Sequence, residues 1–174
     1  LADVNGIMRR RLLERLMLAG VTVEAPAPTY VDWGVEVGRD TVLRANTHLL
    51  GRTTVGAASE LGPGAFLRDA FVGDRARVVA SQLHDCVVGS RCSVGPYAFI
   101  RPNPVLAEGV RAGAFVEIKN SRIGEESRVP HLSYVGDATV GRRSNIAAGN
   151  ITANFDGDEK HPTHIGDDVR TGSD

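Results

Sequence analysis

The sequence predicts an all-β fold, a left-handed parallel β-helix preceded by one N-terminal α-helix, and three observations carry that prediction. An aliphatic residue returns every six positions, a small residue sits four positions after it, and glycine often follows it directly. From Val31 the aliphatic series runs through Val37, Leu43, Leu49, Val55, Leu61 and Leu67. After a one-residue slip it resumes at Val72 and Val78, then at Val88, Val94, Ile100 and Leu106, and again at Ile123, Val129 and Val135. Val140 and Ile146 follow a second slip, and Ile165 follows a gap. The small slot holds Thr41, Thr47, Thr53, Ser59, Ala65, Ala76, Cys92, Ala98, Ser127, Ser133, Thr139 and Ser144. Glycine follows at Val37-Gly38, Val55-Gly56, Val88-Gly89, Ile123-Gly124 and Val140-Gly141.

Two slots keeping one period are the mark of hexapeptide repeats. Each short strand points one large aliphatic side chain inward, and the small slot leaves room for backbone of the neighbouring face. A rung buries almost nothing alone, so stability comes from stacking on the next. Ordinary strand alternation has period two and does not hold this frame.

Ahead of the repeats, about residues 5–19 read as an amphipathic helix. Ile7, Met8, Leu12, Leu13, Leu16 and Met17 recur at helical spacing against Arg9, Arg10, Arg11 and Arg15, and Gly20 supplies a stop. Pro26 and Pro28 mark a connector. The expected organisation is a helix and connector over residues 1–30 and a β-helix over 31–174. The polar stretch at about 153–164 lacks the frame and is expected to loop out, as functional loops on rigid scaffolds do. The frame is still running at Thr171–Asp174, so further C-terminal coils are expected to be missing.

Composition agrees with this fold. Hydrophobic residues make up 42 % and aromatics 5 %, so Val, Leu, Ile and Ala must fill the core. The 20 glycines are spread along the chain, which suits many turns rather than a flexible linker. A net charge of −1 gives no overall field toward nucleic acid or an anionic membrane. No apolar run reaches bilayer length and no segment reads as a signal peptide, so the expected compartment is the cytoplasm. Cys86 and Cys92 form neither a metal signature nor a disulfide framework and read as small buried side chains.

Arg101 and Lys119 both directly follow an aliphatic residue and lie 18 positions apart. With three hexapeptides to a coil they become stacked neighbours. Two such cations either grip an anion between them or are solvated and paired to Glu117 or Asp137. His131 falls between Val129 and Val135, away from the inward slots. It is either a surface histidine or a proton acceptor working near neutrality. His161 and His164 are explained by the polar loop as well as by metal binding.

The segment from Phe115 to Asp174 sharpens these alternatives, above all the string Pro130-His131-Leu132-Ser133-Tyr134-Val135-Gly136-Asp137-Ala138. It resembles the C-terminal domain of the bacterial bifunctional N-acetylglucosamine-1-phosphate uridyltransferase/glucosamine-1-phosphate N-acetyltransferase. The likeness extends back through Ile100-Arg101-Pro102 and more loosely to Leu18-Ala19-Gly20-Val21, which looks like that family's interdomain region. The resemblance implies acetyl transfer from acetyl-CoA to glucosamine-1-phosphate, on the route to UDP-N-acetylglucosamine for cell-wall synthesis. It implies His131 as catalytic base and Arg101 and Lys119 as holders of the sugar phosphate. Tyr134 and Asn145 match further sugar-binding positions, and Lys160 a lysine that approaches from an adjacent subunit. Ala148, Asn154, Phe155 and Ser173 match acetyl-CoA contacts. The implied assembly is a homotrimer with its active site between subunits. No metal is expected for this half-reaction; magnesium belongs to the uridyltransferase domain, which this sequence lacks.

The chain departs from the family pattern at three places. Phe155 stands for a usual tyrosine, Ala147 for the glycine before Ala148, and Asn150 for a common threonine. Other readings of the residues are an acyltransferase for serine or another amino sugar, and a non-catalytic trimerisation module. A β-helical carbonic anhydrase needs three histidine ligands on adjacent subunits, and this chain offers His131 on a strand and His161 and His164 in a loop.

Overall fold

The structure, a computed structural model, describes residues 1–173. Helix α1 (Ala2–Leu18) is followed by short strands that pair in parallel, coil upon coil, in about 7 turns. This is the left-handed parallel β-helix that the hexapeptide frame predicts. The inward residues stack in three columns. One face stacks Val23, Leu43, Leu61, Val78, Val94, Ala112 and Val129. The second stacks Val31, Leu49, Leu67, Leu83, Ile100, Ile118 and Val135. The third stacks Val37, Val55, Val72, Val88, Leu106, Ile123, Val140 and Ile165. Every aliphatic position of the predicted series lies in these columns or, for Ile146, in the same buried cluster. Val37 and Ile165 are only partly buried.

The small slot differs in definition from the expectation. It is set by the residue that follows, two positions before the next inward side chain, and not by the one before. Wherever a repeat is shortened the two rules part. Ala138, not Thr139, is buried ahead of Val140, and Thr139 faces solvent. The buried hydroxyls of this slot stitch one coil to the next. Ser59 Oγ donates to Gly73 O (3.1 Å) and accepts from Ala76 N (3.0 Å); Ser127 Oγ donates to Gly141 O (2.6 Å) and accepts from Ser144 N (2.9 Å). A buried hydroxyl satisfied in both directions avoids the desolvation cost of an unpaired one.

Helix α1 lies against the first coil, touching Thr22–Val23 and Tyr30–Val31. Leu12, Leu13 and Leu16 are buried in the common core, whereas Ile7, Met8 and Met17 remain exposed, so the buried stripe is narrower than the apolar one. Arg9 stacks over Tyr30 at 4.5 Å and Arg15 over Trp33 at 4.9 Å. Gly20, at φ +95°, ends the helix: its N–H bonds Met17 O (3.0 Å) and Val21 N–H bonds Leu16 O (3.1 Å). That pair is the Schellman closure, which needs a left-handed residue at this point.

Cys86 and Cys92 are buried, as read from sequence, and burial pushes their thiols up to about 12 and about 11. No helix among the described residues is long and apolar enough to cross a membrane.

Candidate active site

Two strands in this chain, Arg111–Lys119 and Arg128–Gly136, are much longer than the two- and three-residue rungs elsewhere. They run around the corner between the first and second faces and pair along their length. Most candidate residues sit on them or beside them.

At the far edge of the second face, Ile100 pairs with Ile118, which sets Arg101 and Lys119 one above the other on adjacent coils. Arg101 N donates to Ile118 O (2.9 Å). Both cations have carboxylate partners. Arg101 Nε bonds Glu117 Oε1 at 2.8 Å and its terminal nitrogen reaches the same oxygen at 2.5 Å. Lys119 Nζ stands 3.9 Å from Asp137 Oδ2. A guanidinium carries five donors and an ammonium three, so each cation keeps N–H groups free for an incoming anion. Glu117 is therefore engaged with Arg101.

Tyr134 pairs with Glu117 on the next coil. A Cβ built on Gly136 would lie 2.3 Å from Tyr134 Oη. The missing side chain is what lets the phenol lie across Gly136, whose register partner is Lys119. The hydroxyl is thereby brought toward the cation edge.

His131 lies at the opposite edge of the second face, paired with Ala114, and it is exposed. Among the described residues no side chain hydrogen-bonds its ring. The corner beside it is strained: Phe115 and Leu132 have φ of +56° and +51°, which bulky side chains rarely adopt. Their side chains stand out into solvent with Tyr97, at 62 %, 61 % and 62 % exposure for Phe115, Leu132 and Tyr97. Tyr97 and Phe115 stack at 5.4 Å. A groove of about 430 Å³ runs along this ridge, with Glu117 and Tyr134 as polar walls. Another cleft, of about 640 Å³, lies under α1 and contains none of the candidate residues.

The loop leaves the coil after Thr152 and rejoins it at the strand Thr163–Ile165, which pairs with Ala138–Val140. Thr163 and His164, at the end of the stretch expected at about 153–164, belong to that strand. His161 Nε2 contacts Asp156 Oδ2 at 2.5 Å. Asp156 also caps the turn, accepting from the N–H groups of Asp158 (2.9 Å) and Glu159 (2.8 Å). These bonds, the one to Glu159 N–H foremost, lower its carboxyl to about 2. His161 and His164 are so placed that, with the rest of the described residues, they form no cluster of three or more metal-ligating side chains. Phe155 and Lys160 bridge across the stem, and both are exposed.

Asn145 continues the first face, bridging Arg128 and Arg170. Ala148 belongs to the next corner, where Gly149 N bonds Leu132 O at 2.9 Å, directly adjoining the His131 coil. Asn150, in place of threonine, donates to Ala147 O (2.9 Å) and Gly172 O (3.1 Å) and so ties that corner to the coil that carries Ser173.

Apart from Asn145 on the first face, the candidates therefore fall into two groups that bracket the second face. Arg101, Lys119, Asn154, Phe155 and Lys160 lie toward one edge; His131, Ala148 and Ser173 lie toward the other; Tyr134 is between. His131 is five residues along the strand from Gly136, the partner of Lys119, a span of at most about 17 Å. Sequence reading passed over Gly136 and the bond that Asp137 Oδ2 accepts from Asn154 Nδ2 at 2.8 Å. A glycine just after Tyr134-Val135 and an aspartate at a corner were visible but had no distinguishing spacing.

No family model matches the chain. A bifunctional protein GlmU from Nocardia farcinica is 52 % identical over 167 residues, covering 96 % of this chain and 34 % of that protein. The bifunctional GlmU proteins of Mycolicibacterium vanbaalenii and Syntrophomonas wolfei are 47 % and 44 % identical, over 100 % and 99 % of this chain and 35 % and 38 % of theirs. A solved UDP-N-acetylglucosamine acyltransferase from Francisella novicida covers 76 % of this chain and 63 % of that one, at 10 % identity and a TM-score of 0.45. The chain spans about a third of the length of the curated relatives it matches. Along nearly its whole length, this chain is similar to the C-terminal region of the bifunctional GlmU proteins.

Proposed function

We propose that the chain is a glucosamine-1-phosphate N-acetyltransferase domain, moving acetyl from acetyl-CoA to the 2-amino group of the sugar. The observation that carries this reading is the stacked pair Arg101 and Lys119, two cations with spare donors on adjacent coils of one face. Its support is the likeness to the GlmU proteins, which are described as bifunctional.

Arg101 and Lys119 bind the phosphate, with charge-assisted hydrogen bonds that fix the sugar's orientation. Tyr134, laid across Gly136, and Asn145 contact the sugar. His131 accepts the proton of the attacking amine. The amine nitrogen bonds to the thioester carbonyl carbon, the carbon–sulfur bond breaks, and the thiolate leaves to take up a proton. Ala148, Asn154, Phe155 and Ser173 contact acetyl-CoA; Phe155 supplies a ring face without the hydroxyl of the family's usual tyrosine. The reaction proceeds without a metal in this domain, in the cytoplasm, and any uridyl transfer resides in another part of a longer protein.

The working unit is a homotrimer. The second face keeps base and cations at opposite edges, and the bare ridge Tyr97, Phe115 and Leu132 stands beside the base. Packing that ridge against a second copy covers it and lets one copy's Lys160 approach the site of the next.

Thiol release from acetyl-CoA tests the reading. Glucosamine-1-phosphate is expected to drive release while serine and unphosphorylated amino sugars do not. Faster release with serine, or none with glucosamine-1-phosphate, overturns it.

A further inference from the structure

One side chain touches both the cation edge and the loop, and the reaction as written gives it no part. Asp137 follows Gly136 at the corner between the second and third faces. Its φ is +50°, a conformation that aspartate tolerates better than most residues. The side chain is only 16 % exposed. Oδ1 accepts from Asn120 Nδ2 at 2.6 Å, and Oδ2 from Asn154 Nδ2 at 2.8 Å. Lys119 Nζ lies 3.9 Å from Oδ2, at the loose limit of an ion pair.

The backbone of the same corner holds both ends of the loop. Thr152 Oγ1 donates to Gly136 O (2.9 Å) and accepts from Gly136 N (2.7 Å), while Thr163 N donates to Asp137 O (3.2 Å). Hydrogen bonds from Asn120 and then Asn154 hold the Asp137 carboxyl below its ordinary range, with smaller help from Lys119 and Lys160. The carboxylate is thus ionised and mainly occupied by two amides, one of them on the loop.

We infer that Asp137 is a positioning residue that clasps the loop bearing Asn154, Phe155 and Lys160 to the cation edge, favouring acetyl-CoA binding at some cost to phosphate binding. The inference rests on the acetyltransferase reading. Its two effects have opposite signs. The bond to Asn154 fixes the loop, so losing it loosens the acetyl-CoA side. The negative charge beside Lys119 repels an arriving phosphate, so losing it strengthens the sugar side.

That opposition separates the clasp from a merely structural role, which would weaken both sides together. Asp137→Asn, of nearly the same shape, removes the charge and sets an amide against two amide donors. In the native gene product, Asp137→Asn is expected to raise KM for acetyl-CoA on the order of tenfold, the scale of one charge-assisted bond. KM for glucosamine-1-phosphate should stay level or fall. A parallel rise in both constants, or no rise for acetyl-CoA, overturns the inference. Asp137→Ala combined with Asn154→Ala should raise the acetyl-CoA constant no further than the worse single variant; additive effects overturn it.

Amide hydrogen exchange supplies a readout that needs no activity. Asp137→Asn should speed exchange over residues 153–162 and leave the strand Arg111–Lys119 protected. Unchanged loop exchange sinks the clasp even if the enzyme acetylates glucosamine-1-phosphate. Absent acetyl transfer in the unmodified protein sinks the functional reading instead, and the exchange experiment still decides the clasp.

Discussion

The second face changes character partway along the β-helix. From Tyr30 to Phe99 its outward side is a ladder of rings, with Tyr30 on His48 at 4.8 Å, His48 on Phe66 at 5.8 Å, and His84 between Phe66 and Phe99 at 5.5 and 5.7 Å. Past Phe99 its column continues with Glu117 and Tyr134, and the neighbouring column of Leu50, Arg68 and His84 continues with Arg101 and Lys119. The inward column does not change: Leu49, Leu67, Leu83 and Ile100 give way to Ile118 and Val135. The scaffold is thus written in one set of positions and the chemistry in another, and the outward set is free to vary because stacking energy does not depend on it.

The largest effect that separates the two regions is expected at His131. His131→Ala should cut thiol release by about 10²–10⁴-fold, the usual worth of a general base, while thermal stability stays within about 0.5 kcal/mol. A loss of fold alongside activity would erase the division between scaffold and chemistry.

The inward column should show the reverse behaviour. Leu67→Ala, at a fully buried position, should cost about 2–5 kcal/mol in denaturant unfolding. Its outward neighbour Arg68, whose guanidinium lies 5.9 Å from the Phe66 ring, should cost no more than about 1 kcal/mol when changed to alanine. Equal costs would break the comparison.

Gly136→Ala sharpens the contrast at a single position. The added carbon meets Tyr134 Oη at 2.3 Å and must push the phenol away from the cation edge. Acetyl transfer is expected to fall about tenfold, with a stability loss of about 1–3 kcal/mol at most. Unchanged kinetics would remove Tyr134 from the site.

Acid gives the smallest effect. The Asp156 carboxyl is lowered from 3.8 to about 2, so the order it lends the loop is fully present above pH about 4. That order is lost as pH falls toward about 2. Exchange protection of the loop should follow this course in the native chain and be absent at every pH in Asp156→Ala.

Much of this was legible in the sequence, and what was missed has definite causes. The six-residue frame located the columns because a large inward side chain is demanded on every rung. The 18-residue interval between Arg101 and Lys119 gave their stacking for the same reason, since no slip falls between Ile100 and Ile118. Leu83 was passed over because shortened repeats lie on both sides of it, and Thr139 was misplaced because the small slot counts back from the next inward residue. Glu117 and Asp137 were both open as partners of the two cations, and only coordinates assign Glu117 to Arg101 and Asp137 to Lys119. Asp137 carries no periodic signal, since its role depends on a loop that rejoins the coil 26 residues later, where Thr163 bonds back to it.

The central claim is that Arg101 and Lys119 turn an ordinary rung into a phosphate site. The direct measurement is the ratio of kcat/KM for glucosamine-1-phosphate to that for glucosamine, before and after Arg101→Ala with Lys119→Ala. A large preference for the phosphorylated sugar that collapses toward unity in the double variant is the predicted result. A preference that survives the loss of both cations would contradict it.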